Sequence, residues 1–352
     1  MKIYHIITSM QKAAGTTTFV ENVVRGLCAR GHDAKVIMAE DKFKSCDVIH
    51  IHGLWSGLLH KASRFARKNQ IPVIWSTHGM TAPWSMHHKW WKKLPAWWLY
   101  QRRDLRRAAA VHCTTAQEVE WNRKLGIGKC MVAPLGTEQL AASSQRLAGS
   151  REQGASFAKA TEVETGNREQ GRRLLFVGRV HPVKGLENLI RGWSLCRLLN
   201  WQLRIVGPDQ VGYQADLEAL VAELGITGSV EFVGPKFDAE LSSEYANCDC
   251  LVLPSFTENF GGVIVDAMAY GKPCIASQFT PWRELSECKC GWWVSNEPQA
   301  LAGTICEMMS LSDSERHARG ERGRKLVEEK YTWDAVVKTM EQAYTEVLNA
   351  SA

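Results

Sequence analysis

The sequence contains no apolar run long enough to cross a bilayer, which excludes a helical membrane span. Met1–Met10 lacks the long apolar core of a secretory signal and reads instead as a short strand. No Asp-x-Asp triplet is present to hold a divalent metal, and no residue stands out as a covalent nucleophile. The eleven cysteines are scattered, and without a signal pattern they read as free, mostly buried thiols of a reducing cytoplasm. Cys248/Cys250 and Cys288/Cys290 are each one residue apart but have no His or Cys partner nearby, so core packing outweighs a metal site. The charge excess is small: +6 suits an anionic ligand or membrane surface without demanding nucleic acid, for which no recognition motif appears.

What is present is enough apolar material, 45% of 352 residues, for two domains rather than one. Short apolar runs alternate with helical patterns. Lys2–Ser9, Ala34–Ala39, Val48–His52, Val73–Thr77, Ala110–Cys113 and Met131–Pro134 read as strands, with a helix over Phe19–Arg30 ending at Gly31. The alternation stops at Glu138–Gly171, which is rich in Ala, Ser, Gly, Gln and charge and reads as a linker or mobile insertion. It resumes with strands at Arg173–Val177, Gln202–Val206, Val230–Val233, Cys250–Pro254, Pro273–Ala276 and Gly291–Val294, a helix at Leu186–Leu199, and a closing amphipathic helix at Ala335–Asn349. Strands alternating with helices predict an α/β fold with two parallel-sheet, Rossmann-like domains facing across a cleft. The expected boundaries are 1–137, a linker at 138–171, 172–332, and a C-terminal helix at 333–352 that packs back on the first domain.

In such sheets ligands sit outside the carboxyl ends of the strands, and four places put special residues there. Ala14, Gly15 and Thr16–Thr18 open the first helix, where a small-residue turn can approach a phosphate; a turn Gly followed by a capping Thr is the plainer alternative. Gly178-Arg179-Val180-His181-Pro182-Val183-Lys184-Gly185 sets two cations around a tight loop just before a helix, where they oppose the helix dipole unless an anion lies between them. A solvated surface pair is the other reading. Pro254-Ser255-Phe256-Thr257-Glu258-Asn259-Phe260-Gly261-Gly262 leads into a largely apolar helix bearing Asp266. A loop carboxylate can accept sugar hydroxyls, and an unpaired acid in a buried helix would be costly. Finally, His78 follows the strand Val73–Thr77 and precedes Gly79.

Together these residues resemble the GT-B glycosyltransferases, specifically family 4, the retaining group 1 type. The resemblance covers nearly the whole chain outside Glu138–Gly171 and is strongest at Gly178-Arg179, Lys184-Gly185, Pro254-Ser255, Glu258, Phe260-Gly261, Asp266-Ala267 and Gly271-Lys272-Pro273. It implies that Arg179 and Lys184 neutralise the donor diphosphate, and that Glu258 with the N–H groups of Asn259, Phe260 and Gly261 holds the donor sugar. Asp266 would bind the ribose, Gly15 and Thr16 would close over the phosphates, and His78 would touch the transferred sugar. The chain departs from the family pattern in having Asp266 for the usual Glu, Ala14-Gly15 for Gly-Gly, and Pro134-Leu135-Gly136 for Pro-Asn-Gly.

The resemblance further implies a hexosyltransferase that retains configuration, uses a nucleoside-diphosphate sugar (UDP before GDP), and needs no metal or other cofactor. Its acceptor would be a glycan or lipid-linked saccharide of cell-surface polysaccharide or lipopolysaccharide synthesis. A fixed cation pair can take over a metal's task at the leaving diphosphate. A sugar-nucleotide epimerase of the same architecture is the rival reading, and a nucleic-acid-binding protein a distant one. One segment stands apart. Pro83–Arg107 mixes Trp84, Trp90, Trp91, Trp97 and Trp98 with Lys89, Lys92, Lys93, Arg102, Arg103, Arg106 and Arg107, and is interrupted by Pro95. Read as a helix, it places Trp90, Leu94, Trp97, Trp98 and Leu105 near one face. That face either docks on an anionic membrane, making a cytoplasmic protein peripheral to the inner surface of the cell membrane, or is simply buried core.

Overall fold

The computed structural model describes residues 1–10, 15–87, 89–138, 171–196 and 200–350. The expected linker Glu138–Gly171 lies outside the described residues except at its two ends, as do Ala14 and residues 197–199 of the helix expected over Leu186–Leu199. The chain divides into two compact units: Met1–Gly136 with Lys330–Ala352, and Thr137–Glu329.

In the first unit β1 (Lys2–Ile6), β2 (Asp33–Ile37), β3 (Val48–His52), β4 (Val73–Ser76), β5 (Ala110–Cys113) and β6 (Cys130–Val132) form one sheet in the order β2-β1-β3-β4-β5-β6. Every pairing is parallel. In the second, β7 (Arg172–Val177), β8 (Trp201–Val206), β9 (Val230–Gly234), β10 (Cys250–Leu253), β11 (Cys274–Ser277) and β12 (Gly291–Val294) run in the order β12-β11-β10-β7-β8-β9, again all parallel. Central strands such as β3 and β10 are buried at every position, as helices on both faces of a parallel sheet require. In each unit the strand order reverses once, between β1 and β3 and between β7 and β10. These are the points where the connections diverge to opposite sides and leave a crevice at the strand ends.

The final helix, Trp333–Asn349, is capped by Thr332, whose hydroxyl accepts from the Ala335 N–H (3.2 Å), and belongs to the first unit. It buries Val336, Val337, Met340, Ala343, Tyr344 and Val347 in the same core as Phe19, Val20 and Val23 of the helix Gly15–Ala29. Gly26 permits that approach, since a Cβ there would lie 2.5 Å from Val337 Cγ2. Arg30 donates to Asp334 (2.8 Å) and His32 bonds Glu341 (2.7 Å) at its edge. Gly136 is needed for a related reason: a Cβ at that position would meet the Trp333 indole at 2.6 Å.

The Trp-rich segment does not form one helix with one buried face. It breaks into Pro83–His87, Trp90–Ala96, a π-helical turn Trp97–Gln101, and Arg102–Arg107. The wider π turn shifts the helical register. Gln101, Asp104 and Leu105 therefore turn inward, while Trp98 and Leu99 stay outside. Gln101 Oε1 accepts from the Trp55 N–H (3.0 Å) and Asp104 bonds His60 (2.5 Å), which ties the segment to its unit. Trp97 is 7% exposed, but Trp84, Trp90, Trp91 and Trp98 are all more than half exposed. The buried-core expectation thus holds for one tryptophan and fails for its neighbours. Trp97→Ala should cost about 3–5 kcal/mol as a core truncation, and Trp98→Ala within about 0.5 kcal/mol of nothing. Chemical denaturation of the two variants measures the difference.

Candidate functional site

The second unit gathers its charged residues at the carboxyl ends of β7 and β10, beside the reversal in strand order. The loop after β7 is pressed against its neighbours. The Val180 N–H reaches the Pro208 carbonyl (2.9 Å), and the Phe256 N–H of the β10 loop reaches Val183 O (2.9 Å). Two glycines make this closeness possible. A Cβ on Gly207 would lie 1.8 Å from Gly178 O, and one on Gly185 (φ +68°) would lie 2.2 Å from Pro254 O. The result places Lys184 Nζ in direct contact with Glu258 Oε1, both largely buried. Ser255 Oγ also donates to that carboxylate oxygen (3.3 Å). The exposed Arg179 sits on the same loop and donates to Gln210 Oε1 (2.8 Å). Asn259, Phe260 and Gly261 lead from Glu258 into the helix Gly262–Ala269, with Gly261 at φ +78° and Phe260 O accepting from Trp282 Nε1 (2.5 Å).

Asp266 lies on that helix, half-buried, and Oδ1 accepts from the Thr137 hydroxyl (2.7 Å). Burial raises its pKa and the Thr137 bond lowers it; burial wins, and the carboxyl is pushed up to about 6. Thr137 follows directly on Pro134-Leu135-Gly136.

In the first unit Gly15 and Thr16 begin the helix that carries Phe19, whose ring packs edge-on against His78 (5.8 Å). His78 sits half-buried at the end of β4 with φ +46°, a left-handed conformation that non-glycine residues rarely adopt. Glu118, fully buried, accounts for it. This carboxylate accepts from Thr77 Oγ1 and the Gly79 N–H (2.5 Å each), on either side of His78, and from the Thr114 N–H (2.8 Å) and hydroxyl (3.0 Å).

Behind His78 lies a group of buried histidines: His5 on β1, His50 and His52 on β3, and His112 on β5. They occupy the sheet face that Phe19 and Tyr344 cover, with Ile3, Val48 and Ile74 nearer the strand starts. His5 Nδ1 bonds His52 Nε2 (3.0 Å), and His52 Nδ1 bonds His78 Nε2 (3.1 Å). A second chain runs from Tyr344 OH to His50 Nδ1 (2.7 Å), from His50 Nε2 to Ser76 Oγ (2.6 Å), from Ser76 to His112 Nδ1 (2.6 Å), and from His112 Nε2 to Ala133 O (2.8 Å). Burial lowers the pKa of all five histidines, to about 3 for His5, so the rings are neutral near pH 7. Among the described residues His5, His50 and His52 offer ring nitrogens within 4.8 Å of one another. Both nitrogens of His50 and of His52 already have hydrogen-bond partners, which favours a hydrogen-bonded chain over an ion.

Sequence reading singled out His78 but missed His5, His50, His52, His112 and Glu118. A signal existed: His50 and His52 alternate within one strand, and His5, Ser76 and His112 occupy its neighbours, with His5 registered on His50 and Ser76 on both His52 and His112. All eleven cysteines are free, and Cys248, Cys250 and Cys290 are buried core.

Residues 158–326 match the family profile described as glycosyl transferases group 1, and residues 44–136 that of the glycosyl transferase 4-like domain. A D-inositol 3-phosphate glycosyltransferase from Corynebacterium urealyticum is 31% identical over 178 residues, 48% of this chain and 42% of that protein. The aligned part is thus less than half of the relative's length. A sucrose-phosphate synthase from Thermosynechococcus elongatus superposes with a TM-score of 0.74 at 20% identity, covering 99% of both chains. Anabaena HepE in complex with UDP gives 0.76 at 17% identity, covering 98% of this chain and 100% of that one. At these identities the structural likeness is one of fold.

The Asp266 carboxyl carries a pH dependence whose sign is fixed. Its folded pKa lies above the ordinary 3.8, so its neutral form favours the fold at low pH, and that contribution is lost as pH rises through about 6. Asp266→Asn keeps a neutral side chain at every pH. Its melting temperature relative to the parent should therefore climb between pH 5 and pH 7.5; a constant difference across that range would contradict the assignment.

Proposed function

Because the chain belongs to the group 1 glycosyltransferases, we propose that it transfers a hexose from a UDP-sugar to a glycan or lipid-linked saccharide, without a metal and with retention of configuration. The observation that carries this reading is the meeting of Lys184, Glu258 and the Arg179 loop at the ends of β7 and β10, with Asp266 on the following helix. Cleavage of the donor's glycosidic bond leaves negative charge on a diphosphate. Arg179 and Lys184 are fixed cations at the strand ends, where such charge can be met without reorganisation. Glu258 beside Lys184 serves two ends: it holds the ammonium in place and offers its remaining lone pairs to sugar hydroxyls. Asp266, shorter than the family's usual Glu, accepts from the ribose diol when ionised, with Thr137 steadying one oxygen. The UDP seen with HepE supports the choice of base.

Proton transfer in this scheme falls to the donor phosphate. Burial and the neighbouring His112 lower the pKa of His78, so the ring is a poor base at neutral pH. Departing phosphate oxygen on the same face takes the acceptor's proton as its hydroxyl attacks, which gives retention. Arg179→Ala or Lys184→Ala should lower transfer roughly 10²- to 10³-fold, the scale for one lost transition-state charge partner, while turnover of the parent persists in excess EDTA. Near-normal rates in both variants, or an activity that chelator removes and Mn²⁺ restores, would sink the mechanism.

For the acceptor we favour a lipid-linked saccharide of cell-surface polysaccharide or lipopolysaccharide synthesis, met by a protein peripheral to the inner membrane face. No helix among the described residues is long and apolar enough to cross a membrane. Trp84, Trp90, Trp91, Trp98 and Leu99 are exposed next to the exposed Lys89 and Lys92, a mixture suited to a headgroup layer. Lys93 is turned inward, donating to Ser85 O and lying over the Trp55 ring. The double substitution Lys89→Glu with Lys92→Glu should therefore abolish flotation on phosphatidylserine vesicles, since each cation contributes about 1 kcal/mol there, and leave the melting temperature unaltered. Absence of flotation by the parent chain would remove the membrane from the proposal.

A further inference from the structure

The two histidine chains behind His78 differ in what their ends permit. In the chain that finishes at Ala133, the direction of every bond is fixed. A carbonyl only accepts, so His112 carries its proton on Nε2 and presents a bare Nδ1. Ser76 must then donate to Nδ1, which leaves its oxygen to accept from His50 Nε2–H. His50 Nδ1 is bare in turn and accepts from Tyr344.

The chain His5–His52–His78 has no such anchor, and its direction follows from its buried end. His5 Nε2 is buried and has no hydrogen-bond partner among the described residues. If the protons ran from His78 toward His5, that nitrogen would be an orphaned N–H donor in the core. Run the other way, His5 Nδ1–H donates to His52 Nε2, His52 Nδ1–H donates to His78 Nε2, and the orphan is only a lone pair. Orphaned buried N–H groups are the rarer of the two. The ring of His78 is then bare at Nε2, where it accepts, and carries its proton on Nδ1. No other described residue is bonded to His78.

We propose that His52, backed by His5, is a positioning residue that fixes His78 as the Nδ1–H tautomer, so that His78 meets its ligand as a neutral hydrogen-bond donor through Nδ1. The ligand group it selects is an oxygen acceptor, a sugar hydroxyl or a phosphate oxygen, and it cannot accept a ligand's proton through that nitrogen. The tautomer stands on the chain's own geometry; that the acceptor belongs to the donor sugar rests on the function proposed above.

Two-bond ¹H–¹⁵N correlation on the ¹⁵N-labelled full chain distinguishes protonated from bare ring nitrogens, with His78→Gln identifying the His78 signals. Expected near pH 7 is a protonated Nδ1 and a bare Nε2 in the parent chain. In His52→Phe, which keeps a ring but has no nitrogen, His78 should shift toward the Nε2–H form. Transfer should fall about tenfold in kcat in that variant, the worth of one hydrogen bond, with little change in KM. A parent spectrum showing His78 protonated at Nε2 overturns the proposal whether or not the variant folds, and so does a folded His52→Phe chain with the tautomer unmoved. These spectra need no donor. An Nδ1–H tautomer in a chain that transfers no sugar would leave this inference standing and remove the proposed function instead.

Discussion

A neutral imidazole has one donor and one acceptor, and it cannot ionise cheaply in an apolar core. That constraint governs the first unit. Four histidines, essentially without solvent contact, share one sheet face, and His78 adjoins them just past the end of β4. Because each carries a single proton, a decision made at one end of a chain is passed ring by ring to the other. The Ala133 carbonyl decides for three strands and for Tyr344 of the final helix. The last helix therefore contributes more to the first unit than apolar area: its hydroxyl supplies the donor that His50 would otherwise lack.

The second unit meets the opposite problem, how to keep full charges at a strand end without repulsion or collapse. Here backbone closeness comes first. Gly185 and Gly207 let the β7 loop sit where any Cβ would strike a carbonyl, and the loop's fixed path brings Lys184 to Glu258. The pair satisfies each partner while remaining at the strand ends, so in the proposed reaction the donor diphosphate would meet an ammonium that is already positioned. Desolvation is then partly complete before binding, which lowers the cost of ordering a long side chain.

Much of this was legible in the residues, and the limits have physical causes. Eleven of the twelve strands lie within a residue or two of where apolar runs bounded by turn residues put them, and β1 ends at Ile6, three residues short of the expected Ser9. Buried parallel strands are apolar on both faces, so their ends show clearly against loops. Arg179 and Lys184 stood out as cations beside glycines in a strand-end loop, Glu258 as a loop carboxylate, and Asp266 as an acid in a largely apolar helix. The histidine chains did not stand out. A histidine inside an apolar strand carries no mark of its partners, and pairing between strands far apart in sequence depends on sheet order, which periodicity does not contain. Glu118, on the helix Ala116–Lys124, carries no mark of its partners for the same reason. In the Trp-rich segment the sequence marks the interruption at Pro95 but not the π turn that follows it. One π turn changes which tryptophan meets the core, and only Trp97 does.

In the proposed reaction the two units would contribute different chemistry. At β7 and β10 the groups are formally charged and suited to a leaving group whose charge grows along the reaction. At the end of β4 the half-buried His78 ring is neutral, held by Glu118 through the backbone on both sides and by His52 through its nitrogen. A neutral donor can orient an oxygen without drawing off its proton. If the acceptor's proton is to reach the departing phosphate, as same-face transfer requires, a strong base nearby would divert it. The burial that lowers the pKa of His78 keeps its ring from acting as such a base, which agrees with the proton transfer of the proposed reaction.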